Sequence, residues 1–365
     1  MRTLIFALLS ASVAALALPA AANAGELRQI GTISIPGEAL DSFDISFVDQ
    51  KTNRYFLADR SNKAIDVFDV KGSAFVGRAT GFVGAVMKDG RVDNGHSGPN
   101  GVVTANGGAE IWAGDGDSTI KVFDAKTMKL IDTISTGGKG RADEVGFDPK
   151  DQVFIAGNPS DEPVFLTLIS TKPGHKIIGK VVLDRASDGV EQPQYFPGDG
   201  MFYVDVPELD KDKTKGALAV IDPKTAKLVK LLPVDNCVPH GLAMGAGAMM
   251  FLGCGAGNPR LGLPAQLVVF DGKTGKVAAS IAGVGGSDES AANNKIGHYY
   301  SALAGNPGGS ILAVIDARTN MLMQKISTSG TAHSVAASET NNHVFVPMAK
   351  TGGPCGGCIV AFGPE

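Results

Sequence analysis

The sequence predicts an all-β chain folded as a seven-bladed β-propeller, and three observations carry that expectation. A strand–turn–strand unit recurs seven times at intervals of about 49 residues, the period of one four-stranded blade. Glycine supplies 48 of 365 residues and proline 19, so turns are many and a helical bundle or coiled coil is disfavoured. The last repeat stops before its fourth strand, and the segment 26–36 (ELRQIGTISIP) has the length and pattern to supply it. Pairing the two chain ends in one blade would close the ring and leave no open sheet edge.

Along the chain, a targeting segment comes first. Arg2 is followed by an apolar stretch from Leu4 to Leu18 and the small-x-small site Ala22-Asn23-Ala24. That is the layout of a cleavable export signal over residues 1–24, too short for a comfortable membrane span. The expectation is one propeller domain over 25–365, periplasmic or secreted. Each repeat then carries a β-propensity strand centred on an aromatic: RYFLAD, EIWAGD, VFIAGN, MFYVDV, MMFLGC, HYYSAL and HVFVPM. A third strand and turn follow, as in AIDVFDVKG, TIKVFDAKT, ALAVIDPKT, QLVVFDGKT and ILAVIDART, with FLTLISTKP and the closing CIVAFGPE as degenerate copies. Lysine and arginine total 33 against 37 acidic residues, with no basic cluster, so nucleic acid and anionic membrane surfaces are not expected partners.

The hairpins VIDPKT, VIDART and VFDGKTG resemble those of the YVTN-type (YncE-like) seven-bladed propellers of exported bacterial proteins. The resemblance spans nearly the whole chain after residue 24. It implies the fold and is nearly silent on function, because many such proteins have no assigned chemistry. More remotely the chain is similar to lactonase-type (gluconolactonase-like) propellers. That likeness implies a divalent metal in the central channel.

Propeller sites form where the innermost strands begin and converge on the axis. Twelve residues before Phe56, Trp112, Tyr203, Tyr300 and Phe345 stand Asp44, Asn100, Glu191, Asp288 and His333. The shorter third blade offers Asp143 and Glu144, and the fifth offers His240 within VPHGLA. One reading is that these positions are polar only because they line a water-filled channel. The other is a site: Asp44, Asn100, Glu144 and Asp288 as oxygen ligands for Ca²⁺, Mg²⁺ or Mn²⁺, with the histidines admitting Zn²⁺ or Fe²⁺. So many carboxylates would repel one another, and a cation or raised pKa values would relieve that. His240, His333, Glu144 and Glu191 are the candidate catalytic acids and bases, and His96, Asp143 and Gln194 the candidate substrate contacts. His96 lies in DNGHSGPNG, a long connection able to fold over the channel; His175 and His343 read as surface residues, and His298 as facing a neighbouring blade.

Four cysteines in an exported chain suggest the disulfides Cys237–Cys254 and Cys355–Cys358, although the CxxC of PCGGC also admits a soft-metal or redox role. There is no nucleotide cradle, no CxxCH haem attachment, and no HExxH or GxSxG element. The functional expectation is metal-assisted hydrolysis of a small lactone or ester. Open beside it are a lyase or isomerase reaction on the same residues, which resembles streptogramin-lyase propellers, and a module that binds a ligand or protein without turnover.

Overall fold

A computed structural model describes residues 25–364; the export signal expected at residues 1–24 lies outside the described residues. The chain forms seven four-stranded antiparallel sheets. The innermost strands are Phe43–Asp49, Val102–Ala105, Val145–Asp148, Glu191–Phe196, Pro239–Met244, Ser290–Asn293 and Ala336–Ala337, for blades 1 to 7. Each neighbours the next around the axis, and the seventh returns to the first. The molecule is a seven-bladed β-propeller.

Closure follows the sequence expectation. Arg28–Ser34 pairs antiparallel with Cys358–Gly363, from Arg28↔Gly363 to Ser34↔Cys358, and becomes the outer strand of blade 7. The Asp that ends the third strand of blades 1, 2, 4, 5 and 6 is a turn residue. Asp222 Oδ1 accepts the Lys224 N–H at 2.8 Å, Asp271 Oδ1 that of Lys273 at 2.8 Å, and Asp316 Oδ1 that of Arg318 at 2.7 Å. A short carboxylate that bonds its own backbone two residues on fixes a tight hairpin, which is why the repeat keeps Asp there.

The core is divided into seven apolar layers, one in each gap between blades. Tyr203, Leu218 and Val220 of blade 4 meet Leu242, Leu252 and Phe270 of blade 5. Trp112 of blade 2 meets Phe154 of blade 3 with ring centroids 5.0 Å apart. The aromatic of each second strand therefore fills a seam, and truncating one to alanine would cost about 3–5 kcal/mol. Outer strands show the opposite pattern: Met321–Ser327 alternates exposed and half-buried residues along its whole length.

Three irregularities position the site. The pairing of first and second strands shifts register between Phe43 and Ser46, between Glu191 and Gln194, and between Pro239 and Gly241. Bulges there re-aim Asp44, Glu191 and His240 out of plain alternation and towards the axis. Beneath them Gln192, at φ 24, reaches across the channel. Its amide donates to Ser290 O at 2.9 Å, and its Oε1 accepts the N–H groups of Leu242 at 2.5 Å and Ser290 at 3.2 Å. It ties blades 4, 5 and 6 together and floors the mouth.

Candidate functional site at the channel mouth

The strand starts bring Asp44, Asn100, Asp143, Glu144, Glu191, His240, Asp288 and His333 to one end of the channel, as the repeat spacing predicts. Backbone bonds from each blade's own second strand hold several of them: Asn100 N–H to Gly114 O at 2.9 Å, Asp143 N–H to Gly157 O at 2.9 Å, Gly157 N–H to Glu144 O at 3.0 Å. Three further residues join them that the strand-start pattern did not indicate: Arg60, Arg141 and Glu289. The mouth thus carries six carboxyl groups, of Asp44, Asp143, Glu144, Glu191, Asp288 and Glu289, against the guanidinium groups of Arg60 and Arg141.

Those charges sort into two halves. On one side, Arg60 pairs with Asp44 and donates to Asn100 Oδ1 from Nε at 3.2 Å and Nη2 at 2.6 Å. Arg141 bridges Asp143 at 2.5 Å and Asp44 at 3.3 Å. Asn100 is fully buried, its oxygen turned to Arg60 and its amide donated to Ala142 O at 2.8 Å. Asp44 and Asn100, expected as metal ligands, are therefore held by this chain's own cations. Burial would push the Asp44 carboxyl up, but Arg60, His333 and Arg141 outweigh it and hold it well below the usual carboxylate range. Asp143 is pushed up to about 7, because burial and the Asp44 charge outweigh Arg141.

In the other half no arginine forms an ion pair among the described residues, and Arg141 only partly offsets the rise at Glu191. Burial, then the neighbouring carboxylates, raise Glu144 and Glu191 well above the ordinary value, and burial with Asp288 and Glu191 does the same to Glu289. Glu144 and Glu289 lie within hydrogen-bonding reach of one another, and no other donor among the described residues serves the Glu289 oxygens. Burying two carboxyls against each other keeps a proton between them.

At the edge of this acidic half, His240 Nδ1 faces Glu191 Oε1 at 3.9 Å and Asp288 Oδ1 at 3.8 Å, with no hydrogen-bond partner of its own. One ligand atom from each residue lies within 4.8 Å of the others. Donors held about 2.0–2.6 Å from one ion stand no more than about 5 Å apart, so the spacing suits a single divalent cation. Two carboxylates and an imidazole favour Mn²⁺, Zn²⁺ or Fe²⁺ over a purely oxygen-bound ion. Asp288 is 42% exposed and leaves the outer side open to a ligand. Gly255 packs on the far side of His240: a Cβ there would meet its Cδ2 at 2.9 Å and Nε2 at 3.0 Å.

His333 is fixed differently. Its ring stacks on Phe43 with centroids 4.5 Å apart, Nδ1 lies 2.9 Å from Thr331 O, and Nε2 lies 3.7 Å from Asp44. Burial would lower its pKa, but Asp44, Asp288 and Thr331 together raise it, so it leans towards the cationic form.

Two expected contacts fall elsewhere. Gln194 lines a cavity of about 330 Å³ with Phe47, Gln50, Leu242, Met244 and Asn294, below the Gln192 floor. It is three residues down the strand from Glu191, roughly 10 Å along the channel. His96 pairs with Asp93 at 3.0 Å and is mostly exposed. Its connection does reach the mouth, through Asn94, which accepts from Arg60 at 3.1 Å, and Gly95, whose carbonyl accepts from Arg141 N–H at 2.8 Å. His298 is buried beside Tyr300 of its own strand. His175, expected at the surface, packs edge-on against Trp112 at 4.9 Å, and His343 bonds Asn341 at 2.9 Å. All four cysteines are paired as expected, Cys237–Cys254 and Cys355–Cys358.

No family profile matches the sequence, and no curated protein matches it. Solved structures do. A chain of the mitotic checkpoint complex crystal structure superposes with a TM-score of 0.64 at 12% identity, covering 100% of this chain and 99% of that one. Kuenenia stuttgartiensis hydrazine synthase gives a TM-score of 0.68 at 12% identity, over 86% of this chain and 95% of that one. At such identity the likeness shows the propeller fold alone. No helix among the described residues is long and apolar enough to cross a membrane.

Proposed function

We propose that the protein is an exported propeller enzyme that holds one divalent cation on Glu191, His240 and Asp288 and hydrolyses a small neutral lactone or ester at the channel mouth. The observation that carries this reading is the unpartnered His240 nitrogen set between two carboxylates that no arginine ion-pairs among the described residues. A cation there would neutralise the excess carboxylates, polarise a carbonyl oxygen and acidify a water molecule. The chain's own residues supply the proton transfers. In its ionised form Glu144, whose raised pKa makes its carboxylate the stronger base, takes the proton of the attacking water. His333, biased towards its cationic form by Asp44, returns one to the leaving alkoxide. An anionic substrate would be repelled by the surrounding carboxylates, which argues for a neutral one. The Cys237–Cys254 bridge anchors the strand that carries His240, and the leader-like sequence of residues 1–24 supports the export in this reading.

The experiment is pH-stat turnover of a panel of neutral lactones and esters by chelator-treated and Mn²⁺- or Zn²⁺-reconstituted protein. Metal-dependent acid release that disappears in His240→Ala and Glu144→Gln supports the reading. Release of an unsaturated product without net hydrolysis moves the reaction to elimination by the same Glu144. No turnover by the reconstituted protein, or turnover that both variants retain, overturns the enzymatic reading.

A further inference from the structure

The two disulfides sit in opposite environments. Cys237 and Cys254 are fully buried at the end of the strand pair they brace. The other bridge spans the glycine loop that joins Val344–Met348 to Cys358–Gly363, on the mouth face. Cys358 is buried, but Cys355 is only partly so. The intervening Gly356 and Gly357 both adopt positive φ, 66° and 103°. A Cβ added to Gly356 would meet no heavy atom within 4 Å, nor would one on Gly352, so the outer side of the bridge is open. Cys355 is partly exposed, so its bridge is the nearer to solvent, whereas the core of blade 5 must open to expose the fully buried other bridge.

The same loop is tied to the mouth by two routes. Lys350 N–H donates to Leu40 O at 2.7 Å, and Gly357 lies so close to the Leu40 backbone that a Cβ would meet it at 2.7 Å. Leu40 leads directly into Phe43 and Asp44, which stack on and face His333. On the other route Ala349 N–H donates to Thr331 Oγ1 at 3.1 Å, and the Thr331 carbonyl holds His333 Nδ1.

From these placements we propose that Cys355–Cys358 is a thiol–disulfide exchange site that takes electrons from a partner dithiol and, through Leu40 and Thr331, resets the His333–Asp44 side of the mouth. A partner thiolate attacks Cys355 Sγ, Cys358 leaves as thiolate and is protonated, and the partner's second thiolate resolves the mixed disulfide. The partner leaves as a disulfide and this chain as a dithiol, a balanced two-electron exchange. The open loop then loses the constraint that holds residues 349–357 against Leu40. This site is independent of the cation reading.

The test uses the folded, unreduced chain. It is titrated with dithiothreitol without denaturant, quenched with iodoacetamide and mapped by peptide mass spectrometry, while the His333 imidazole is followed by ¹H–¹³C correlation. The proposal expects Cys355 and Cys358 to be alkylated at concentrations at least about tenfold below those needed for Cys237 and Cys254. It expects the His333 resonances to shift over the same titration, and a Cys355→Ser/Cys358→Ser protein to show the shifted position without reductant. Four cysteines reacting together, or none before global unfolding, overturns the exchange site. Selective alkylation with His333 unmoved overturns the link to the mouth.

Discussion

Gly255→Ala tests the placement of His240 with a single methyl group. The backbone of Gly255 lies outside the left-handed region, so alanine meets no conformational strain there. Its Cβ would stand 2.9 Å from His240 Cδ2, 3.0 Å from Nε2 and 3.3 Å from Val238 O. Ordinary contact needs about 3.4 Å or more, so the imidazole must retreat by roughly 0.5 Å. Metal sites tolerate about 0.2 Å in ligand position, and displacing a supported ligand typically costs about 10- to 100-fold in affinity. Stability should fall by no more than about 2–3 kcal/mol: crowding costs about 1–3 kcal/mol, and the lower entropy of the unfolded chain returns about 0.4–1 kcal/mol. Calorimetric titration of chelated protein with Mn²⁺ reads the first effect and a thermal melt the second. Gly31→Ala, whose Cβ would touch nothing within 4 Å, is the control and should bind like the parent. A Gly255→Ala protein that binds Mn²⁺ as tightly as the parent would refute the assignment of His240 as a ligand.

Other outcomes follow from the same mouth. Glu144, Glu191 and Glu289 have folded pKa values above their unfolded ones, so the stability they lend is present below about pH 4.5 and is lost as pH rises through the raised values. Metal-free protein should therefore melt higher at pH 5 than at pH 8, and Glu289→Gln should flatten that difference; a melting temperature that rises towards pH 8 would contradict the buried acidic half. Asp44 has the opposite sign, so its contribution should fail only in strong acid, below the ordinary carboxylate range. Arg141→Met strands Asp143 without its ion-pair partner, while Asp44 keeps Arg60, and should cost about 3–5 kcal/mol in guanidinium unfolding. Removing the exposed Arg185, paired with Asp210, should leave the transition in the same assay close to the parent's. Gln192→Leu leaves the backbone groups of Leu242 and Ser290 unpaired in the channel and should cost about 1–3 kcal/mol; a neutral result would remove Gln192 as the floor of the site.

The fold was legible because the repeats write their punctuation into the chain: an aromatic that fills a seam in every blade, then, in five of the seven, an Asp that closes a hairpin. A constant offset from those aromatics found most of the mouth, since blades of similar length start their inner strands at similar distances. Bulges limited the method. The shift at Gln192–Pro193 separates Glu191 at the mouth from Gln194 below the floor, and alternation alone does not reveal it. Arg60 was hidden because it follows the second strand of its blade, and only the register of Phe43↔Asp59 brings it beside Asp44. Arg141 and Glu289 stood next to predicted residues, in RADE and SDES, but a search for oxygen and imidazole donors passed over the arginine. The division of the mouth into an arginine half and an acidic half depends on side chains from blades far apart in sequence, so no local pattern announces it.

The most direct measurement is the metal content of the purified, tag-free protein before and after chelation, compared with His240→Ala and Asp288→Asn. One divalent ion per chain that chelation removes, and that both variants lose while their melting transitions persist, is the predicted result. A parent protein that takes up no Mn²⁺, Zn²⁺ or Ca²⁺ at pH 8, or variants that keep the ion, would contradict a cation site on Glu191, His240 and Asp288.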